Sequence, residues 1–183
     1  MRWNPFAKNS PRFHTVNGRS LPVITSAELA EQTPEDAAQL VMDRLHDAIL
    51  ADAKKKNVPE EHEEFETLVL TLPQPWRMVY LVFGFGGSVI NSGHDGFFAN
   101  HSEAWQSSTR EGLVSLGATE YVAMYDAALP LHQSLPEDEE APETDEIISQ
   151  LDEIDERFYA QEVSPTEILG EYILANRSIY CTD

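Results

Sequence analysis

Only one cysteine, Cys181, occurs in the 183 residues, so no internal disulfide can form and a disulfide-stapled scaffold is excluded. Cations are scarce as well: 12 Lys and Arg stand against 32 Asp and Glu, a net charge of −20. A field of that sign repels nucleic acid and anionic membranes, so neither is an expected partner, and it attracts basic proteins. Long apolar runs are missing too. The longest, around Met78 to Phe85, falls far short of the ~20 residues of a membrane span. Residues Met1 to Phe6 lack the apolar core of a signal peptide, and a cytoplasmic location is the expectation. No nucleophile motif, metal-ligand spacing or phosphate-cradling loop is recognisable. Gly84-Phe85-Gly86 contains a Gly-x-Gly string with no preceding strand and no βαβ unit. His62 lies among Glu60, Glu61, Glu63 and Glu64 at no spacing that a metal centre uses. No catalytic residue, cofactor or metal is expected, and a binding role is favoured over an enzymatic one.

What is present is a hydrophobic fraction of 42%, enough for a packed core, in a length that suits one domain. The charge is distributed unevenly. The first 27 residues carry Arg2, Lys8, Arg12 and Arg19 and no acid. Residues 132–156 carry Glu137, Asp138, Glu139, Glu140, Glu143, Asp145, Glu146, Asp152, Glu153, Asp155 and Glu156 and no cation. Pro5, Pro11 and Pro22, with the Asn17-Gly18 turn signal, predict an irregular N-terminal arm over 1–32, docked on the body through its apolar residues.

Residues 33–183 read as one helical domain. Thr33-Pro34-Glu35-Asp36 is a helix start, and Ala37, Val41, Leu45, Ala48 and Ile49 recur at helical spacing. Lys54 to Lys56 suit the negative end of that helix, and Asn57 suits a left-handed cap. A short acidic helix follows to about Thr71. Pro73 and Pro75 open the most apolar helix, in which Gly84, Gly86 and Gly87 suggest close packing or a kink. Asn91 to Asn100 reads as a polar turn around a buried Phe97-Phe98 pair. Further helices are expected from Glu103 to a Gly117 stop, from Ala118 to Leu129, and from Asp145 to Tyr159. A final helix is capped by Ser164-Pro165-Thr166-Glu167, with Ile168, Leu169, Tyr172 and Ile173 inward. Pro130 is expected to end the Ala118 helix, and 132–144 to be an acidic connection. No segment alternates at period two, so the fold class is all-α.

The stretch Val89 to Asn100, with Asn91, Gly93, Phe97-Phe98 and Asn100, resembles the turn of a bacterial family of helical domains of largely unassigned function. That family includes a DNA-mimic protein. Leu113 to Ala118 is similar to its helix ending in Gly-Ala, and Leu151-Asp152…Asp155…Phe158-Tyr159 to its Leu-Asp-x-x-Asp-x-x-Phe-Tyr helix. Tyr172-Ile173 resembles its final helix. The matches run in order over about residues 70–175. The chain departs from the pattern at Ser88, where the family has an acid, and at Ser92, where it has glycine. The resemblance implies an all-α domain able to form a homodimer, and DNA mimicry where the acidic surface is shared.

Three functional expectations follow. The first is an acidic interaction protein that binds a basic, DNA-binding partner through Glu137, Asp138, Glu139, Glu140, Asp145, Glu146, Asp152, Glu153 and Glu156. Spaced three and four apart, the helical ones among these form a row opposite the Ile147/Leu151/Ile154/Phe158 stripe. The second is a small-ligand-binding or enzymatic helical domain whose pocket, or a purely structural turn in its place, is built from Asn91, Gly93, His94, Asp95, Phe97, Phe98 and Asn100, with His94-Asp95 as the candidate acid–base pair. The third is an immunity or antitoxin protein against a basic toxin, which uses the same physics as the first.

Overall fold

In a computed structural model of the chain, the residues described are 13–16, 19–60, 63–136 and 141–183. Among them the order is β1 (Phe13–Val16), β2 (Arg19–Pro22), α1 (Ser26–Ala30), α2 (Pro34–Lys56), α3 (Glu63–Leu70), α4 (Gln74–Asn100), α5 (Glu103–Ser115), α6 (Thr119–Gln133), α7 (Pro142–Tyr159), α8 (Pro165–Ala175) and α9 (Arg177–Tyr180). The all-α class holds, with one small addition. β1 and β2 pair antiparallel with Phe13 opposite Pro22 and Val16 opposite Arg19.

The segment expected to be irregular therefore carries a hairpin and a helical turn. Leu21, Ile24 and Leu29 are buried in the core. Ser20 donates its N–H and Oγ–H to Asp52 of α2, at 3.0 and 2.7 Å. Thr25 and Glu28 close a capping box at the start of α1. Local turn signals concealed this order because a four-residue strand leaves too few positions for period two to show.

α2 begins and ends as its residues dictate. The Thr33 hydroxyl accepts from the Asp36 N–H, and Asn57 takes a left-handed conformation at φ 56°. Lys55 is the only one of the three lysines with a described contact, to Asp52 and Ser20. α8 crosses the start of α2 so closely that a β-carbon at Gly170 would overlap the Pro34 carbonyl. Glycine is the residue that permits this approach.

α4 is the spine, buried through Trp76, Val79, Leu81, Val82, Phe85 and Val89 and packed on α2, α5, α6, α7 and α8. Its early glycines do not bend it. Gly86 packs against Pro165 and Thr166, and the break lies further on, at Gly93. Residues 94–100, expected as a turn, are helical again. α6 also runs past Pro130 to Gln133. One proline near a helix end removes a single hydrogen bond, and Ser134 N–H closes the last turn onto Pro130 and Leu131 carbonyls. α7 starts at Pro142, three residues before the expected start, with Pro at the first helical position.

Candidate functional site

The α4 break is built from residues of two helices. Gly93 has φ 70° and ψ 177°, a region that only glycine occupies readily. A β-carbon there would overlap Asp155 Oδ2. Asp155 stands on α7 with Leu151, Ile154 and Phe158, which are buried. Its Oδ1 accepts the His94 backbone N–H at 3.1 Å and pairs with His94 Nδ1 at 2.5 Å. A carboxylate thus caps the restarted helix and orients the imidazole at once. On the other side of the break, Tyr159 donates its hydroxyl to the Val89 carbonyl at 3.1 Å. Asp155 and Tyr159 together satisfy backbone groups on both sides of the interruption. Phe158 lies between them and packs edge-on against His94 and Phe85.

His94 is fully buried. Its Nε2 is buried with no hydrogen-bond partner, and the ring packs against Phe85, Phe98 and Phe158. Burial holds its pKa below the ordinary histidine value, against the upward pull of Asp155. His94 and Asp95 do not pair with each other. Asp95 instead pairs with His132 of α6 at 2.6 Å, and His101 pairs with Glu66 of α3 at 3.5 Å. Burial lowers the His101 pKa too, opposed by Glu66. The segment 94–101, a short helical stretch and its cap residue, is thereby tied to α7, α6 and α3 by three imidazole–carboxylate pairs. Phe97 and Phe98 are buried as expected, and Asn100 ties its own turn by donating Nδ2–H to the Gly96 carbonyl at 2.7 Å. Asn91 is exposed. Chemically the His94–Asp155 pair resembles the orienting half of an acid–base dyad, but its outer nitrogen is buried away from solvent and its Nδ1 is already engaged.

Sequence reasoning missed five members of this arrangement: Asp155 as a capping group, Tyr159, His132, His101 and Glu66. Asp155 adjoins the apolar stripe of its helix, which was the available signal. His132 had none, because its role depends on how α6 meets α4.

The outward side of α7 is different. Glu143, Asp145, Glu146, Asp152, Glu153 and Glu156 are all exposed, and Ser149 and Gln150 between them are exposed as well. Glu137, Asp138, Glu139 and Glu140 lie outside the described residues. Arg157 is the single cation of α7. Two surface cavities occur elsewhere. One of about 350 Å³ lies between α4 and α5 at Arg77, Gly112 and Ser115. The other, of about 420 Å³, lies between Thr119 and Tyr121 of α6 and Ala160 to Val163. Neither includes a residue from 91–100. Among the described residues no group of three or more His, Cys, Asp or Glu is placed to hold a metal ion. None of the described helices is long and apolar enough to cross a membrane.

A family model described as DMP19-like protein matches residues 70–176, from the end of α3 through α8, and so includes both sides of the α4–α7 junction and the acidic face. No curated protein and no solved structure matches the chain. The match spans more than half of the sequence, and the chain belongs to the DMP19-like family.

Proposed function

We propose that this member of the DMP19-like family is an acidic binding protein that engages a basic, DNA-binding protein through the outward face of α7, in the place DNA takes. One observation carries the reading: six exposed carboxylates between Glu143 and Glu156 with no cation among them. Thirteen helical steps of about 1.5 Å span roughly 20 Å, or about one charge per 3–4 Å of axis. One strand of duplex DNA carries one charge per roughly 3.4 Å. A groove that reads phosphates with Lys and Arg meets a comparable charge density here. The family includes a DNA mimic, which supports the same reading. An immunity role against a basic toxin uses the same surface and differs only in what the partner does. The pocket reading is less favoured, because His94 is enclosed and committed to Asp155.

The test is capture of basic proteins from the native cell extract at low and high salt, with wild type and with Asp152→Asn, Glu153→Gln and Glu156→Gln combined. The bound protein should be released by salt, weakened by the triple substitution and displaced by duplex DNA. A partner that holds DNA and this protein simultaneously would overturn the mimicry. A partner indifferent to salt and to the triple substitution would overturn the surface assignment.

A further inference from the structure

The acidic face of α7 contains a spot that is not acidic. Tyr159 is 49% exposed and Ile90, one residue past the carbonyl that holds the Tyr159 hydroxyl, is 65% exposed. Both are large apolar groups in contact with water at the edge of a strongly charged helix. Among the described residues nothing covers their exposed parts. The hydroxyl bond to Val89 fixes the ring, so little side-chain freedom is left to lose on binding. Side chains on a helix lean toward its N-terminus, which brings the Tyr159 ring back over the turn that carries Asp155 and Glu156. Asp152, Asp155 and Glu156 lie seven, four and three residues before Tyr159, on its own face. Partial burial first, and then the fields of Asp155, Glu156 and Asp152, raise the Tyr159 pKa, so these carboxylates are close enough to act on the hydroxyl. Asp155 is committed to His94, which leaves Asp152 and Glu156 exposed beside the ring. Arg157 lies two positions from Tyr159 and therefore points away from this face.

We propose that Tyr159, Ile90, Asp152 and Glu156 form an arginine-selective seat, the anchor at which a basic partner inserts one guanidinium into the acidic face. The inference rests on the reading of α7 as a partner surface and names the side chain the partner contributes. A guanidinium is planar and weakly hydrated, stacks on an aromatic ring and engages carboxylates through two parallel N–H bonds. Its methylene stem has apolar surface that Ile90 can cover. A lysine ammonium is a compact, strongly hydrated charge that satisfies the carboxylates but gains less from the ring. The phosphate row of DNA offers no such apolar element, so the seat separates this surface from charge mimicry alone.

Hexa-arginine and hexa-lysine peptides, titrated by fluorescence anisotropy at one fixed salt concentration, test it. Wild type should hold hexa-arginine about two- to fivefold more tightly than hexa-lysine, the increment of an exposed cation–ring contact. Ile90→Ser, at an exposed position that leaves the fold intact, should reduce that preference, and Tyr159→Leu should abolish it. Both should weaken hexa-lysine less than hexa-arginine and leave the salt dependence in place. Tyr159→Phe keeps the ring and should keep the preference. Equal affinities in wild type, or a preference that survives Tyr159→Leu, would overturn the seat while leaving the acidic surface standing. If neither peptide responds to the combined Asp152→Asn, Glu153→Gln and Glu156→Gln substitution, the surface reading fails, and the seat with it.

Discussion

Asp155 and Glu156 are adjacent on one helix and carry the same charged group, yet they belong to two different parts of the molecule. Asp155 faces α4, accepts the His94 N–H, pairs with the ring of a buried histidine and fills the space that Gly93 leaves open. Glu156 faces water with Asp152 and Glu153 and has no described hydrogen bond or ion pair. A helix turns by about 100° per residue, so one step in sequence moves a carboxylate from a junction to a surface. The junction side concerns stability and the position of α7. The surface side concerns partners. Lost hydrogen bonds and backbone strain are local and costly, whereas exposed charges are solvated and screened. The two sides should therefore separate cleanly under substitution.

Gly93→Ala attacks the junction hardest. It places a side chain in a glycine-only conformation and forces it onto Asp155. Strain and overlap together cost about 3–5 kcal/mol. At about 2–4 °C per kcal/mol for a protein of this size, the melting temperature should fall by roughly 10 °C or more. A stability equal to wild type would mean that α4 can straighten at no cost. Asp155→Ala should come next, at about 2–3 kcal/mol, because it leaves the His94 N–H and Nδ1 unpaired within the core. Glu156→Ala, its neighbour, should change the urea midpoint by no more than about 0.5 kcal/mol. Similar losses for the two would dissolve the distinction between the sides.

Acid should loosen the junction through the histidines. The folded pKa values of His94 and His101 lie below the ordinary 6.5, in both cases because burial opposes charging. The unfolded chain therefore binds more protons than the folded chain as pH falls below about 6.5. The stability contributed by the neutral rings is fully present above that pH and is lost as pH drops toward the folded values. The slope approaches about 1.4 kcal/mol per pH unit for each group. Urea midpoints between pH 7.5 and 5.5 should show a shallower acid loss in His94→Gln than in wild type. Identical slopes would remove His94 from the account.

The smallest effect belongs to the surface. At 0.1 M salt, the combined Asp152→Asn, Glu153→Gln and Glu156→Gln protein should melt within about 0.5 kcal/mol of wild type. At 0.01 M, where the screening length grows from ~10 to ~30 Å, the variant should be the more stable of the two, because wild type carries more self-repulsion. A large loss of stability at either salt would mean that these carboxylates hold structure.

Much of this was legible beforehand, and what was legible has a common cause. Thr33 and Asn57 bracket α2 as their own backbone chemistry requires, and Ser164 opens α8 by accepting the Glu167 N–H. The stripe of Leu151, Ile154 and Phe158 is buried as its spacing implies. These are effects within one or two turns. The 91–100 segment reads as a turn because Asn, Ser and Gly weaken a helix locally. The structure keeps most of it helical because Asp155 and Tyr159 supply, from another helix, the bonds that the break at Gly93 forfeits.

By itself the sequence determines the net charge of −20, the all-α class, the concentration of acid between 132 and 156 and which face of α7 turns inward, because these follow from composition and from a period of 3.6 residues. Tertiary structure alone decided that Asp155 caps a break sixty-odd residues earlier in the chain, that His132 answers Asp95, and that the Tyr159 hydroxyl reaches the Val89 carbonyl. Each of these depends on where α7 and α6 cross α4, and a crossing is set by the packing of whole helix faces, which no local pattern encodes.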